Sequence, residues 1–98
     1  ALQNLAKARF ALAELEKIPG VRRVFSGPAF NEFVLEFPRS VKLMNAVLLG
    51  EKIIGPFALG AHYPELTKRG LVCVTETMPR AEIERLAAAI RRILETPL

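Results

Sequence analysis

The stretch that decides the fold class is Leu71-Val72-Cys73-Val74-Thr75-Glu76-Thr77-Met78-Pro79. Its first four residues form a continuous apolar run, which predicts a strand over residues 71–75 that is buried on both faces. A helix is predicted to open within residues 77–79, because proline is favoured in the first helical turn. Its apolar residues recur at the three-four spacing of an amphipathic helix: Ile83, Leu86, Ala87, Ile90, Ile93 and Leu94. A buried strand that leads directly into such a helix indicates helices packed on a sheet.

The residues at the start of the chain predict a helix followed by a β-hairpin. The helix covers residues 2–18, where helical spacing is shown by Leu5, Ala8, Leu12 and Leu15. Pro19-Gly20 ends it, since proline lacks a backbone donor and glycine accepts a left-handed turn. A strand over residues 21–25 places three side chains on one face, those of Val21, Arg23 and Phe25. Residues 32–37 predict its antiparallel partner, reached through a connection longer than a tight turn.

The middle of the chain predicts a short helix, a brief strand and a loop. Ser40 is a good N-cap, and Gly50 is the expected C-terminal stop. The apolar residues of this helix are Val41, Met44, Val47 and Leu48. Ile53-Ile54 predicts a brief strand, and residues 57–69 predict an ordered loop because they show neither period. The expected fold class is therefore α+β: one domain, residues 1–98, with a small, mainly antiparallel sheet covered by helices.

Composition is that of an ordinary globular domain and gives no sign of a nucleic-acid or membrane partner. The chain is 51% hydrophobic and 24% charged, with a net charge of +4. Its basic pairs, at residues 22–23, 68–69 and 91–92, are widely separated, which favours a solvated surface over a phosphate-binding stripe. No apolar run approaches the ~20 residues that span a bilayer. The chain begins at Ala1 without an initiator Met, which fits an excised domain or a processed product.

Few residues suit catalysis. Cys73, inside an apolar run, is expected to be a small buried hydrophobe, and no zinc-ligand spacing is present. His62 is the single histidine, beside Tyr63, and we expect it at the surface or an interface. The lysines all stand in polar or helix-surface contexts, unlike the buried lysine that forms a Schiff base. Two polar spots, Asn31-Glu32 and Thr75-Glu76, lie at predicted strand ends, where sheets present functional groups to a cleft, although asparagine is also a common turn former.

Three segments resemble the glycine cleavage system P-protein, glycine dehydrogenase (decarboxylating). They are Gly27-Pro28-Ala29-Phe30-Asn31-Glu32-Phe33-Val34, the Leu59-Gly60-x-x-Tyr63-Pro64-Glu65-Leu66 pattern, and Cys73-Val74-Thr75-Glu76. Asn4-Leu5-Ala6-Lys7-Ala8 and the Ile18-Pro19-Gly20-Val21 turn are similar as well. The chain departs from the family pattern at Ala61-His62, where a charged pair is expected. The likeness is greatest to the C-terminal small domain of subunit 1 in the bacterial two-subunit form.

The resemblance implies a small domain of a fold-type I pyridoxal-phosphate enzyme. That enzyme decarboxylates glycine and passes the aminomethyl group to the lipoyl arm of the H-protein. The resemblance places the cofactor and its lysine on subunit 2 of a cytoplasmic heterotetramer, and subunit 1 is the catalytically silent homologue. This domain is therefore expected to hold no catalytic, cofactor-binding or metal-binding residue, and to be inactive alone. The candidate interface or pocket-edge residues are Asn31, Glu32, His62, Tyr63 and Glu76.

Two other functions are compatible with the same sequence. A free-standing ligand-binding or regulatory domain would have similar α+β layers. An RNA-binding module would need paired aromatics on exposed strands, whereas the Phe residues here alternate with Val and Leu and are expected to be buried. A domain that belongs to a larger enzyme is expected to expose apolar surface, which we predict along the two long helices.

Overall fold

A computed structural model of the chain describes residues 2–26, 32–61, 63–75 and 78–96. Within these ranges the three helices are α1 (Leu2–Glu16), α2 (Val41–Gly50) and α3 (Arg80–Glu95). The strands are β1 (Arg22–Ser26), β2 (Glu32–Glu36), β3 (Phe57–Ala58) and β4 (Arg69–Cys73). Two short 3₁₀ turns, Leu59–Ala61 and Pro64–Leu66, separate β3 from β4.

The four strands form one antiparallel sheet in the order β1-β2-β4-β3. β2 pairs along its whole length with β4, from Glu32 opposite Cys73 to Glu36 opposite Arg69. β1 is an edge strand of the sheet and pairs antiparallel with β2, as predicted for the hairpin. The α+β class and the mainly antiparallel sheet predicted from the sequence are confirmed.

The helices cover one face of the sheet, here called the inner face. Phe33 and Leu35 of β2 and Val72 of β4 point into the core between the two layers. The buried helical residues of that core are Ala8, Ala11, Leu15, Val41, Met44, Leu48, Ile83, Ala87, Ala89, Ile90 and Ile93. Because side chains alternate along a strand, Glu32, Val34 and Glu36 point to the other side, which we call the outer face.

The turn after α1 behaves as predicted, but the alternation predicted for β1 is wrong. Gly20 adopts a left-handed φ of +87°, and the N–H of the buried Val21 donates to the Ile18 carbonyl at 3.1 Å. In the sheet, Arg23 lies opposite Leu35, whereas Phe25 lies opposite Val34. The register therefore shifts by one residue between Arg23 and Phe25, as in a β-bulge, which interrupts the regular alternation of the strand.

Helix α2 begins as predicted and ends differently. The Ser40 side chain accepts a hydrogen bond from the Leu43 N–H at 3.4 Å. Gly50 is the last helical residue, and the left-handed residue beyond it is Lys52, with a φ of 62°. Val47, predicted to be in the core, is exposed. The helix buries only the narrow face formed by Val41, Met44 and Leu48, because it rests at the margin of the helical layer beside α3.

The brief strand predicted at Ile53-Ile54 is wrong. The Ile53 N–H donates to the Leu48 carbonyl at 2.9 Å, so this residue continues the turn that ends α2. Strand β3 instead starts at Phe57, inside the region predicted to be loop, directly after Pro56, which has no N–H to donate. The Asn45 side-chain amide fixes this connection by donating to the Pro56 carbonyl at 2.7 Å.

Strand β4 starts earlier than predicted and is buried on one face only. Gly70 and Val72 are buried, whereas Leu71 is half-buried and Cys73 is exposed. The prediction of a strand buried on both faces, and of a buried Cys73, is therefore wrong. The apolar run predicted two covered faces, but the described helices cover only the inner one.

The last helix agrees most closely with its prediction. Pro79 is the N-cap residue of α3, and Ile83, Ala87, Ile90 and Ile93 are buried. Its C-terminal end is held by Arg39, whose Nη1 donates to the carbonyls of Ile93 at 2.9 Å and Thr96 at 2.6 Å. A cation is favourable there because the carbonyls of the last helical turn lack helical partners.

Candidate interaction surfaces

The described residues contain few groups suited to a reaction. They hold no group of three or more His, Cys, Asp or Glu side chains placed to bind a metal ion. Of the lysines, Lys17, Lys42, Lys52 and Lys68 are exposed and Lys7 on α1 is half-buried. None is buried, as a Schiff-base lysine in an enclosed pocket would be. Within the described ranges, no helix is both long enough and apolar enough to span a bilayer.

Two of the five candidate residues fall within the described part of the chain. Glu32 starts β2, is half-buried and lies opposite Cys73 on β4. Tyr63 is exposed and precedes the second 3₁₀ turn, where its N–H donates to the Leu59 carbonyl at 2.9 Å. The predictions for Asn31, His62 and Glu76 fall outside the described residues. In the register of the sheet, the start of β2 lies beside the end of β4. Tyr63, by contrast, belongs to the connection that leads into the start of β4.

The outer face of the sheet has an apolar centre. Val34 on β2 lies opposite Leu71 on β4, which in turn lies opposite Phe57 on β3. These three residues therefore form a row across the sheet. Val34 is only 3% exposed, whereas Phe57 at the edge is 53% exposed. The expectation that the Phe residues are buried holds for Phe33 and Phe37 and is wrong for Phe57.

One end of the outer face carries a row of three charges. Glu36 lies opposite Arg22 on one side and Arg69 on the other. Arg22 Nε donates to Glu36 Oε2 at 2.9 Å, and Arg69 Nε donates to Oε1 at 3.3 Å. Hydrogen bonds from Arg22 and then Arg69 hold the pKa of the Glu36 carboxyl below its usual value of 4.5. Each carboxylate oxygen has a guanidinium partner, so this row links β1, β2 and β4 and leaves a net positive charge.

An open cleft of about 470 Å³ runs between the β3 edge of the sheet and α3. One wall is the connection from Lys52 to Phe57, and the other is built from Met78 and Leu86. Its lining is largely apolar, with three charged residues, Lys52, Glu82 and Arg85. Arg85 is already engaged, because its Nη2 donates to the Glu51 carbonyl at 2.9 Å. The cleft offers an apolar depression but no convergent set of catalytic groups.

Helix α2 exposes an apolar surface that we call the α2 patch, formed by Leu43, Ala46, Val47, Leu49 and Gly50. Leu43 is 57% exposed and Leu49 is 68% exposed. Just after the helix, Ile54 is 89% exposed. The prediction that the two long helices carry exposed apolar surface is therefore misplaced. Among the described residues, no large apolar side chain of α1 or α3 is exposed, and the exposed ones belong to α2, to Ile54 after it, to Phe57 on β3 and to Tyr63.

The sequence of α2 carries a signal for the α2 patch. Lys42 is the single charged residue among the ten of Val41–Gly50. A helix with so few charges is typical of one that is buried on more than one side. The spacing of Val41, Met44, Val47 and Leu48 predicts one apolar face and does not indicate the second one.

Comparison with known proteins finds relatives that match most of the chain. No protein-family profile matches the chain. Proteins named glycine dehydrogenase (decarboxylating) subunit 1 match most of it. The protein from Geobacillus kaustophilus is 48% identical over 85 residues, 87% of the chain and 19% of the relative. That from Moorella thermoacetica is 44% identical over 94 residues, 96% of the chain and 21% of the relative. That from Desulfitobacterium hafniense is 43% identical over 90 residues, 92% of the chain and 20% of the relative.

A solved structure has the same fold. It is the inhibitor-bound glycine decarboxylase (P-protein) of the glycine cleavage system, with a TM-score of 0.82 and 26% sequence identity. The match covers 96% of this chain and 21% of that one. The chain thus spans about one fifth of the length of the proteins it matches.

Proposed function

We propose that the chain is the C-terminal small domain of a glycine dehydrogenase (decarboxylating) subunit 1, because it matches such proteins at 43–48% identity over about a fifth of their length. In this role it supplies packing surface and no reacting group. The observation that carries the proposal is a match over 96% of the chain to 21% of the Moorella thermoacetica relative. The fold supports it, since a segment of the same shape lies inside a P-protein chain.

The parent protein would work with the partners that the resemblance implies. We propose glycine as substrate, subunit 2 as the catalytic partner in a heterotetramer, the lipoylated H-protein as acceptor, and a cytoplasmic location. Pyridoxal phosphate, when bound to subunit 2, supplies the electron sink for decarboxylation. None of the five lysines is buried, as a lysine that carries this cofactor would be, so no chemical step is assigned to them.

The contribution of the chain is therefore structural. Glu36 with its two arginines links β1, β2 and β4, and Arg39 links the segment before α2 to the end of α3. We infer that such contacts help catalysis in the parent protein by holding neighbouring elements in place and excluding water, which are positioning effects.

A chimera tests the proposal. The matching segment of the Moorella thermoacetica subunit 1 is replaced by this chain, and the product is mixed with the catalytic partner subunit. We expect exchange of the glycine carboxyl group with bicarbonate to persist in the chimera and to be absent from the 98-residue chain alone. The control is the same subunit with the segment deleted. A chimera no more active than the deletion refutes the proposal and favours a free-standing ligand-binding or regulatory domain.

A further inference from the structure

We propose that the α2 patch packs against the other four-fifths of a subunit 1 polypeptide, as an intramolecular interface. This inference rests on the proposed function and adds to it the surface that is covered and the occupant that covers it. The patch runs along the side of α2 opposite Val41, Met44 and Leu48, which face the core. Leu43 and Val47 are one turn apart and both exposed, and Leu49 lies across Ala46 from them.

Helix α3 shows the composition of a helix surface that faces water in this chain. The exposed positions of α3 are mostly charged, among them Arg80, Glu84, Arg91 and Arg92. On α2 the corresponding side has one charge, Lys42, and two leucines that are more than half exposed. A contiguous apolar surface on an otherwise charged protein marks a contact site.

The length of the relatives indicates which polypeptide covers the α2 patch. The same fold, with a TM-score of 0.82, is 21% of a P-protein chain. The subunit 1 relatives are likewise about five times as long as the segment they share with this chain. Such a relative has far more chain than this domain, and that remainder is tethered beside it at high effective concentration.

Charge disfavours a second copy as the occupant. The chain has a net charge of +4. Lys42 and Lys52 are exposed at either end of α2. The neighbouring acid, Glu51, is already paired with Arg92. In a two-fold contact the same surface meets itself, so these lysines would be brought together without an acid to balance them.

Cysteine labelling tests the inference on the chimera described above. Leu43→Cys and Leu49→Cys are placed on the patch, and Glu84→Cys is the matched control on the polar side of α3, where the side chain is 60% exposed. Maleimide labelling rates are read for each site by peptide mass spectrometry, in the 98-residue chain and in the chimera. We expect the patch sites to react as fast as the control in the chain alone, and at least about tenfold more slowly than the control in the chimera, because labelling then requires local opening.

Each other outcome overturns the inference. Patch sites that react quickly in the chimera show an uncovered patch, and the proposed function still stands if that chimera exchanges glycine carboxyl with bicarbonate. Slow, concentration-dependent labelling of the chain alone shows that a second copy covers the patch. A chimera that neither assembles nor exchanges the glycine carboxyl group with bicarbonate refutes both the proposed function and the inference.

Discussion

Replacing Arg39 with methionine tests how the end of α3 is held to the rest of the fold. The substitution keeps an apolar stem of similar length and removes two hydrogen bonds, to the Ile93 carbonyl at 2.9 Å and the Thr96 carbonyl at 2.6 Å. One of these bonds is partly buried and the other is exposed. Hydrogen bonds from a charged donor contribute about 1.5–3 kcal/mol when shielded and less when exposed. The loss of the cation at the helix C-terminus adds about 0.3–1 kcal/mol.

We therefore expect Arg39→Met to lower the free energy of unfolding by about 2 kcal/mol, with the partly buried bond giving the larger share. For a domain of this size that corresponds to a fall in Tm of roughly 8–16 °C. The assay is urea unfolding followed by circular dichroism, with Arg9→Met as the control because Arg9 is exposed on α1. If Arg39→Met destabilises the chain no more than Arg9→Met, the two hydrogen bonds do not anchor α3.

Three further substitutions test other parts of the fold. Glu36→Gln should lower the free energy of unfolding most above pH 4.5, the usual carboxyl pKa, because the pKa of Glu36 is lowered in the folded state. The difference in stability between the two proteins should shrink as the pH falls below that value. A difference that does not change with pH in denaturant titrations would contradict this. Ile90→Ala should cost about 2–5 kcal/mol by leaving a cavity at a fully buried site, whereas Ile54→Ala, at an 89% exposed site, should stay within about 0.5 kcal/mol; equal losses would show that the core is misassigned. Gly20→Ala should destabilise by about 1–2 kcal/mol, since φ is +87° and the new Cβ would lie 3.0 Å from Pro38 Cγ; a change in Tm no larger than that of Gly50→Ala, where nothing lies within 4 Å, would refute the strain.

The elements with a strong local pattern were predicted well. Helix α3 has both a proline at its start and apolar residues at regular spacing, so its buried face followed from the sequence. The antiparallel class followed from the hairpin pattern of β1 and β2. The brief strand at Ile53-Ile54 was wrong because two isoleucines in a row satisfy β propensity, whereas the Ile53 N–H is drawn into the turn that ends α2.

The candidate site residues stay predictions. Glu32 was chosen for its position at a strand end and Tyr63 for its place in the segment around His62, and the structure places these two on different elements. The α2 patch was missed because burial depends on which face of a helix meets its neighbours. A helix that is apolar all round gives no local indication of which face that is.

By itself, the sequence determined the secondary structure with a clear period, the α+β class and the similarity to subunit 1 proteins. Each depends on residues near one another in the chain or on the order of short motifs. Only the tertiary structure decided which faces are covered: that β4 is covered on one side, that Cys73 is exposed, and that α2 carries an apolar surface outside the core. Which face of a strand or helix is buried depends on elements that are distant in sequence. The same apolar run is compatible with a strand buried on one face or on both.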